Sequence, residues 1–158
     1  MEPNMFYGML VGVVMALAWI DGHRVGLMLA GALFTAWAAS NVAATLLGLD
    51  HAPLVIPTIH AVLAICVAIV GIAYRSRAAA SVFGLYLLMT LCDVGSFIAR
   101  VDGSFAYYLT INALFCLQLL VVGGESAWGI IWAWSARSRE RLRIDVARRQ
   151  IMAARSLL

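Results

Sequence analysis

The feature that most constrains this chain is an alternation of apolar runs, each close to the length of a membrane span, with short charged turns. The runs cover 5–20, 25–49, 54–74, 81–99 and 105–134. Between them lie Asp21-Gly22-His23-Arg24, Asp50-His51-Ala52-Pro53, Arg75-Ser76-Arg77 and Arg100-Val101-Asp102-Gly103-Ser104. About 20 apolar residues cross the hydrocarbon core as a helix. In lipid a segment must satisfy its own backbone hydrogen bonds, so runs of this length are read as helices. The sequence therefore predicts an all-α polytopic membrane protein. A bundle of five transmembrane helices occupies 1–135, and a basic cytoplasmic helical tail follows over 136–158. Composition agrees: 12% of the residues are charged and 64% hydrophobic, where a soluble domain carries about 25% charged residues.

The first run is short, at roughly 16 residues or ~24 Å, and crosses only from the interface or through a thinned bilayer. Its N-terminal flank, Met1-Glu2-Pro3-Asn4, is acidic rather than basic, so the run is expected to be a retained span and not a cleaved signal. Orientation follows from the arginines. With the tail inside, ten of the eleven arginines fall on the cytoplasmic side and only Arg100 outside. That asymmetry predicts an inner (plasma) membrane of bacterial type, with the N-terminus outside and the C-terminus cytoplasmic.

Small residues mark where helices should approach closely. Gly8 and Gly12 form a GxxxG, and Ala32, Ala36, Ser40 and Ala44 recur every fourth residue along one face of the second run. Both patterns are expected to pack helices, within the bundle or between copies.

An ionisable side chain inside a span is costly and needs a partner or a purpose. Asp93 lies well inside the fourth run. At 1.5 Å per residue it falls about 9 Å below the outer end, the same depth as His60 of the third. Asn41 and Asn112 come out at roughly 10–12 Å. An intramembrane polar cluster of His60, Asp93, Asn41 and Asn112 is thus expected, either as a register-fixing hydrogen-bond set or as a proton, ion or ligand site.

At the other end, Trp128, Trp132 and Trp134 sit where an aromatic belt belongs. Arg137, Arg139, Arg141, Arg143, Arg148 and Arg149 follow, suited to anionic lipid headgroups or a partner. Asp145 is spaced to pair with Arg148 or Arg149. Ile144, Ala147, Ile151, Ala154 and Leu158 form a short a/d-like stripe.

No catalytic residue set emerges. No glycine-rich phosphate loop is present, the three cysteines lie in different runs without a CxxC, and His60 is the only histidine deep in a span. No metal, cofactor or nucleic-acid partner is expected, and the chain does not read as an enzyme. The first expectation for function is a non-enzymatic protein that self-associates as a homo-oligomer, or joins a larger membrane complex or pore, with a plan similar to that of phage holins. The alternatives are a small transporter or proton- or ion-conducting subunit using a buried His60–Asp93 pair, and an accessory subunit of a larger complex.

Overall fold

A computed structural model describes residues 3–47, 55–100 and 104–155, with side chains over 6–46, 55–100, 104–141 and 143–144. The chain is all helix across these residues: α1 (Pro3–Asp21), α2 (Arg24–Leu47), α3 (Val55–Tyr74), α4 (Arg77–Ile98) and α5 (Phe105–Arg155). Four of them, α2 to α5, contain an apolar stretch long enough to cross a membrane; the apolar part of α1, Phe6–Asp21, is shorter. Large apolar side chains such as Trp19, Leu46, Ile72, Ile98 and Leu120 face outward all round the bundle. In water this would be a large exposed patch; in lipid it is the expected surface. The chain is a multi-pass helical membrane protein by length and composition.

Local chemistry sets the turns. Gly22 closes α1 with φ +68, and Gly22 N–H donates to Ala18 C=O at 3.1 Å. This is the left-handed C-terminal turn that glycine adopts without a Cβ penalty. Arg75 (φ 50) and Arg100 (φ 55) take the same conformation after α3 and α4. Ser76 Oγ accepts from Ala79 N–H at 3.2 Å and caps α4. The cap explains why α4 begins at Arg77 rather than at Ser81, where the apolar run of the sequence starts: a capped helix extends back through Ala78–Ala80 to the charged Arg77. Ser104 Oγ likewise accepts from Tyr107 N–H at 3.2 Å and starts α5. Pro57 lies in the first turn of α3, where its missing N–H has no intrahelical partner to lose.

Each helix packs on its sequence neighbours, and α5 closes the ring onto α1; α2 also leans inward against α4 and α5. Helices α1 and α5 run parallel in constant register. The Tyr7 ring meets Phe115 at 6.1 Å, Gly123 faces Val14, and Gly129 lies against the Asp21 carboxylate. Gly8 packs on the Trp37 indole, while Gly26 faces Ser126 and Ala18, so α2 runs antiparallel to both. Because Tyr7 is level with Phe115, α5 begins about ten residues, or ~15 Å, beyond that level. Helix α1 itself starts four residues before Tyr7, at Pro3, so about six residues of α5, or ~9 Å, extend beyond the described part of α1.

One stripe of α5 faces inward along the whole bundle: Tyr107, Ile111, Phe115, Gln118, Val122, Ser126 and Gly129, in steps of four and three residues. Its 22-residue reach is about 33 Å, the thickness of the hydrocarbon core. The helix continues without a break through Gly123-Gly124 and past residue 135 to Arg155. Span and basic tail are thus one helix of 51 residues.

Candidate functional site

His60 on α3 and Asp93 on α4 are both 4% exposed, and His60 Nδ1 lies 2.8 Å from Asp93 Oδ2. Tyr107, one turn into α5 behind its Ser104 cap, donates its hydroxyl to Asp93 Oδ1 at 2.8 Å. Both carboxylate oxygens are therefore engaged, from two other helices. A carboxylate only accepts, so with Asp93 ionised the imidazole carries its proton on Nδ1. That leaves Nε2 as the acceptor nitrogen away from Asp93. Tyr86, 0% exposed, sets its ring 6.2 Å from the His60 ring and sends its hydroxyl to Ala32 C=O on α2 at 3.3 Å.

His60 and Tyr107 line a cavity of about 430 Å³ that all five helices contribute to. Its walls are aromatic and apolar, with Tyr7, Trp37, Tyr108, Ile111 and Phe115 prominent, and its volume lies in the range of small-ligand sites. Asn41 and Asn112 sit on this wall. Neither hydrogen-bonds the His60–Asp93 pair among the described residues; Asn41 Nδ2 instead donates back to Trp37 C=O at 2.7 Å. Thus two of the four polar residues singled out by depth bond directly, and the other two face the adjoining space. Thr90 and Thr110, at similar depth, turn their hydroxyls back to Tyr86 C=O and Ala106 C=O, both at 2.9 Å.

The small-residue positions divide in the same way. Gly8 packs under Trp37, where a Cβ would come within 2.8 Å of the indole, while Gly12 is exposed with open space around it. The GxxxG pair therefore forms no single seam inside the bundle. Ala36 is buried, and Ala32, Ser40 and Ala44 are half-buried. Ala36 and Ser40 help line the cavity.

At the opposite end Trp128, Trp132 and Trp134 are all exposed, with Trp128 and Trp132 edge to face at 6.4 Å. The Arg139 guanidinium lies 5.7 Å from the Trp132 ring centre. Arg137, Arg141 and Arg143 are exposed as well. The side chains of Asp145, Arg148, Arg149, Ala147, Ile151 and Ala154, and all of Leu158, lie outside the described residues.

Sequence reasoning did not single out Tyr107, Trp37, Gln118 or Ser126. Depth could have found Tyr107, three residues into the last run; nothing in the pattern separates the others from ordinary packing residues. Gln118 is 0% and Ser126 1% exposed, and neither the Gln118 amide atoms nor Ser126 Oγ has a hydrogen-bond partner among the described residues. Trp37 Nε1 and Ser40 Oγ are buried and unpartnered in the same sense. Among the described residues no group of three His, Cys, Asp or Glu side chains comes together as a metal site. Comparisons with family models, with curated proteins and with solved structures find no match to this chain.

Proposed function

We propose that this chain is a small proton-translocating membrane protein, built as five transmembrane helices with the N-terminus outside and the arginine-rich tail in the cytoplasm. One observation carries the reading: an ionisable pair, His60 and Asp93, is buried at span depth, and His60 lines an open cavity. A structural hydrogen bond needs no such access, whereas a proton carrier does. The chemistry suits the task. A proton arriving at Nε2 makes an imidazolium that the Asp93 carboxylate balances at 2.8 Å, so no net charge is stranded in low dielectric. Tyr107 keeps the carboxylate oriented while this happens.

The test is proton flux into liposomes holding a pH-sensitive dye, driven by a potassium diffusion potential. Asp93→Asn is expected to abolish the flux and keep the fold. Its amide oxygen still accepts from Tyr107, and its NH2 donates to Nδ1 of the other imidazole tautomer, but the counter-charge is gone. Flux unchanged in Asp93→Asn sinks the proposal.

A second reading, assembly with further copies or within a larger complex, is favoured by Gly12, exposed on α1 with open space about it. A small outward residue lets another helix come close. The mass of the protein in mild detergent tests it, and a strict monomer with no co-purifying partner counts against it.

A further inference from the structure

The cavity beside His60 is lined so that a cation suits it and an anion does not. We infer that it is a binding site for an organic ammonium ion, a protonated primary amine on a small apolar body, which exchanges there with the proton of His60. The inference names a cargo for the proton-translocating reading above and, as a cargo, rests on it.

Two observations carry it. The first is the wall. Tyr7, Trp37, Tyr107, Tyr108 and Phe115 all line the space of about 430 Å³. Aromatic rings have negative faces, and a cation within about 6 Å of a ring centre is attracted, more strongly where water is excluded. No arginine is among the described residues of the wall, so no fixed positive charge competes.

The second is the way the polar groups are turned. Hydrogen bonds spend their donors away from the space. Asn41 gives its NH2 to Trp37 C=O at 2.7 Å, which leaves the amide oxygen. Tyr107 gives its hydroxyl proton to Asp93, and His60 gives its Nδ1 proton to the same carboxylate, which leaves the Nε2 lone pair. The Trp37 indole N–H is sealed off by its neighbours. Asn112, also on the wall, carries an amide that serves as donor or acceptor. An amide oxygen and a ring nitrogen left as acceptors suit a ligand that donates, as an ammonium does with three N–H bonds. Behind His60 and Tyr107 stands the Asp93 carboxylate. With a neutral imidazole the site carries one net negative charge, which a low dielectric screens little.

Competition with the proton follows. A proton on Nε2 turns that acceptor into a donor and brings the His60–Asp93 pair to zero net charge, so both attractions to an ammonium are lost. When an ammonium enters, the Nε2–H bond breaks and its proton leaves to bulk water. The Nδ1–H bond is kept, and so are the three N–H bonds of the ammonium; one positive charge replaces another. Among the described residues the ionisable groups around His60 and its cavity are Asp93 and Tyr86 of α4, Tyr107 and Tyr108 of α5 and Tyr7 of α1, and α2 brings none. Tyrosine titrates near pH 10. Below about pH 8 the exchange therefore belongs to the imidazole and the carboxylate.

The test is calorimetric titration of the purified protein in detergent with three probes of one size: phenethylammonium, phenethyl alcohol and phenylacetate. Wild type at about pH 8 is expected to bind the ammonium at least ~10-fold more tightly than the alcohol, and the carboxylate most weakly. At about pH 5 the ammonium should fall toward the alcohol as the imidazole charges. Asp93→Asn should bind ammonium and alcohol alike at both pH values. His60→Gln, whose amide still donates to Asp93, should keep the preference for the ammonium unchanged between them. Binding of the alcohol reports that the cavity survives in each variant. Asn41→Leu leaves the charged pair in place and should weaken the ammonium by ~3-fold and the alcohol less. Equal binding of ammonium and alcohol by wild type at the higher pH, or binding of neither, overturns the inference. Proton flux in the dye-loaded liposomes together with either of those results leaves the translocating reading standing without this cargo. An ammonium preference without flux keeps the binding site and overturns its role as cargo together with the translocating reading.

Discussion

Replacing Asp93 by leucine is expected to cost the bundle about 3–5 kcal/mol, and replacing Asp93 and His60 together by leucine far less. The size does not come from the strength of the pair. Interhelical hydrogen bonds in membranes contribute about 0.6 kcal/mol on average. It comes from what is left behind. Asp93→Leu strands the His60 Nδ1–H and the Tyr107 hydroxyl, which now share the two carboxylate oxygens at 2.8 Å each. His60→Leu is the harsher single change, because it takes the imidazole donor from a carboxylate that is 4% exposed. In the double variant both ionisable groups are gone, and the Tyr107 hydroxyl, half-buried on the cavity wall, turns to the open space. Reversible unfolding in detergent of the four proteins gives the coupling energy directly. Single-variant losses that add in the double variant would mean that the two side chains act independently, and the 2.8 Å contact would then carry no weight.

That cycle rests on a contact between two residues, His60 and Asp93, that depth had placed at one level. Span length and the positive turns set α2 through α5 with little ambiguity, because lipid forbids any alternative backbone. Depth is equally legible: once 1.5 Å per residue and the span ends are given, His60 and Asp93 fall at one level. Rotation about each helix axis is not. Nothing in a run that is apolar on every side tells which face looks inward. Asn41 therefore shares the layer but spends its amide on Trp37 of its own helix. Gly8 and Gly12 share a spacing, and only Gly8 finds a neighbour. Gln118 was invisible for the converse reason, since a single amide among leucines and valines carries no periodicity of its own. The length of α5 was half legible: the arginines end the span by charge, but arginine is a good helix former, so the helix itself runs on.

Tyr86→Ala is expected to cost about 2–3 kcal/mol, with Tyr86→Phe costing ~1 kcal/mol or less. Tyr86 heads the fully buried side chains by volume, on the face of α4 that carries Val82, Met89 and Asp93. In water the loss would include the transfer of a large apolar group. Lipid removes most of that part, since exposing the ring to hydrocarbon costs little and helix association in membranes is held by contact. The cavity remains, on the order of 100 Å³ at ~24 cal/mol per Å³, which by itself gives about 2.4 kcal/mol. Phenylalanine keeps the ring and its packing on His60 and loses only the 3.3 Å bond to Ala32 C=O, a long one. The ratio of the two costs is therefore the informative quantity. A ratio above about two, from unfolding in detergent, assigns Tyr86 to packing of α4 on α2 and His60. Equal costs would mean that the hydroxyl, rather than the ring, holds α2 in place. Because the same ring lies 6.2 Å from the His60 ring, Tyr86→Ala should also loosen the imidazole. The expected sign is a lower Asp93–His60 coupling energy when the four-protein cycle is repeated in the Tyr86→Ala background.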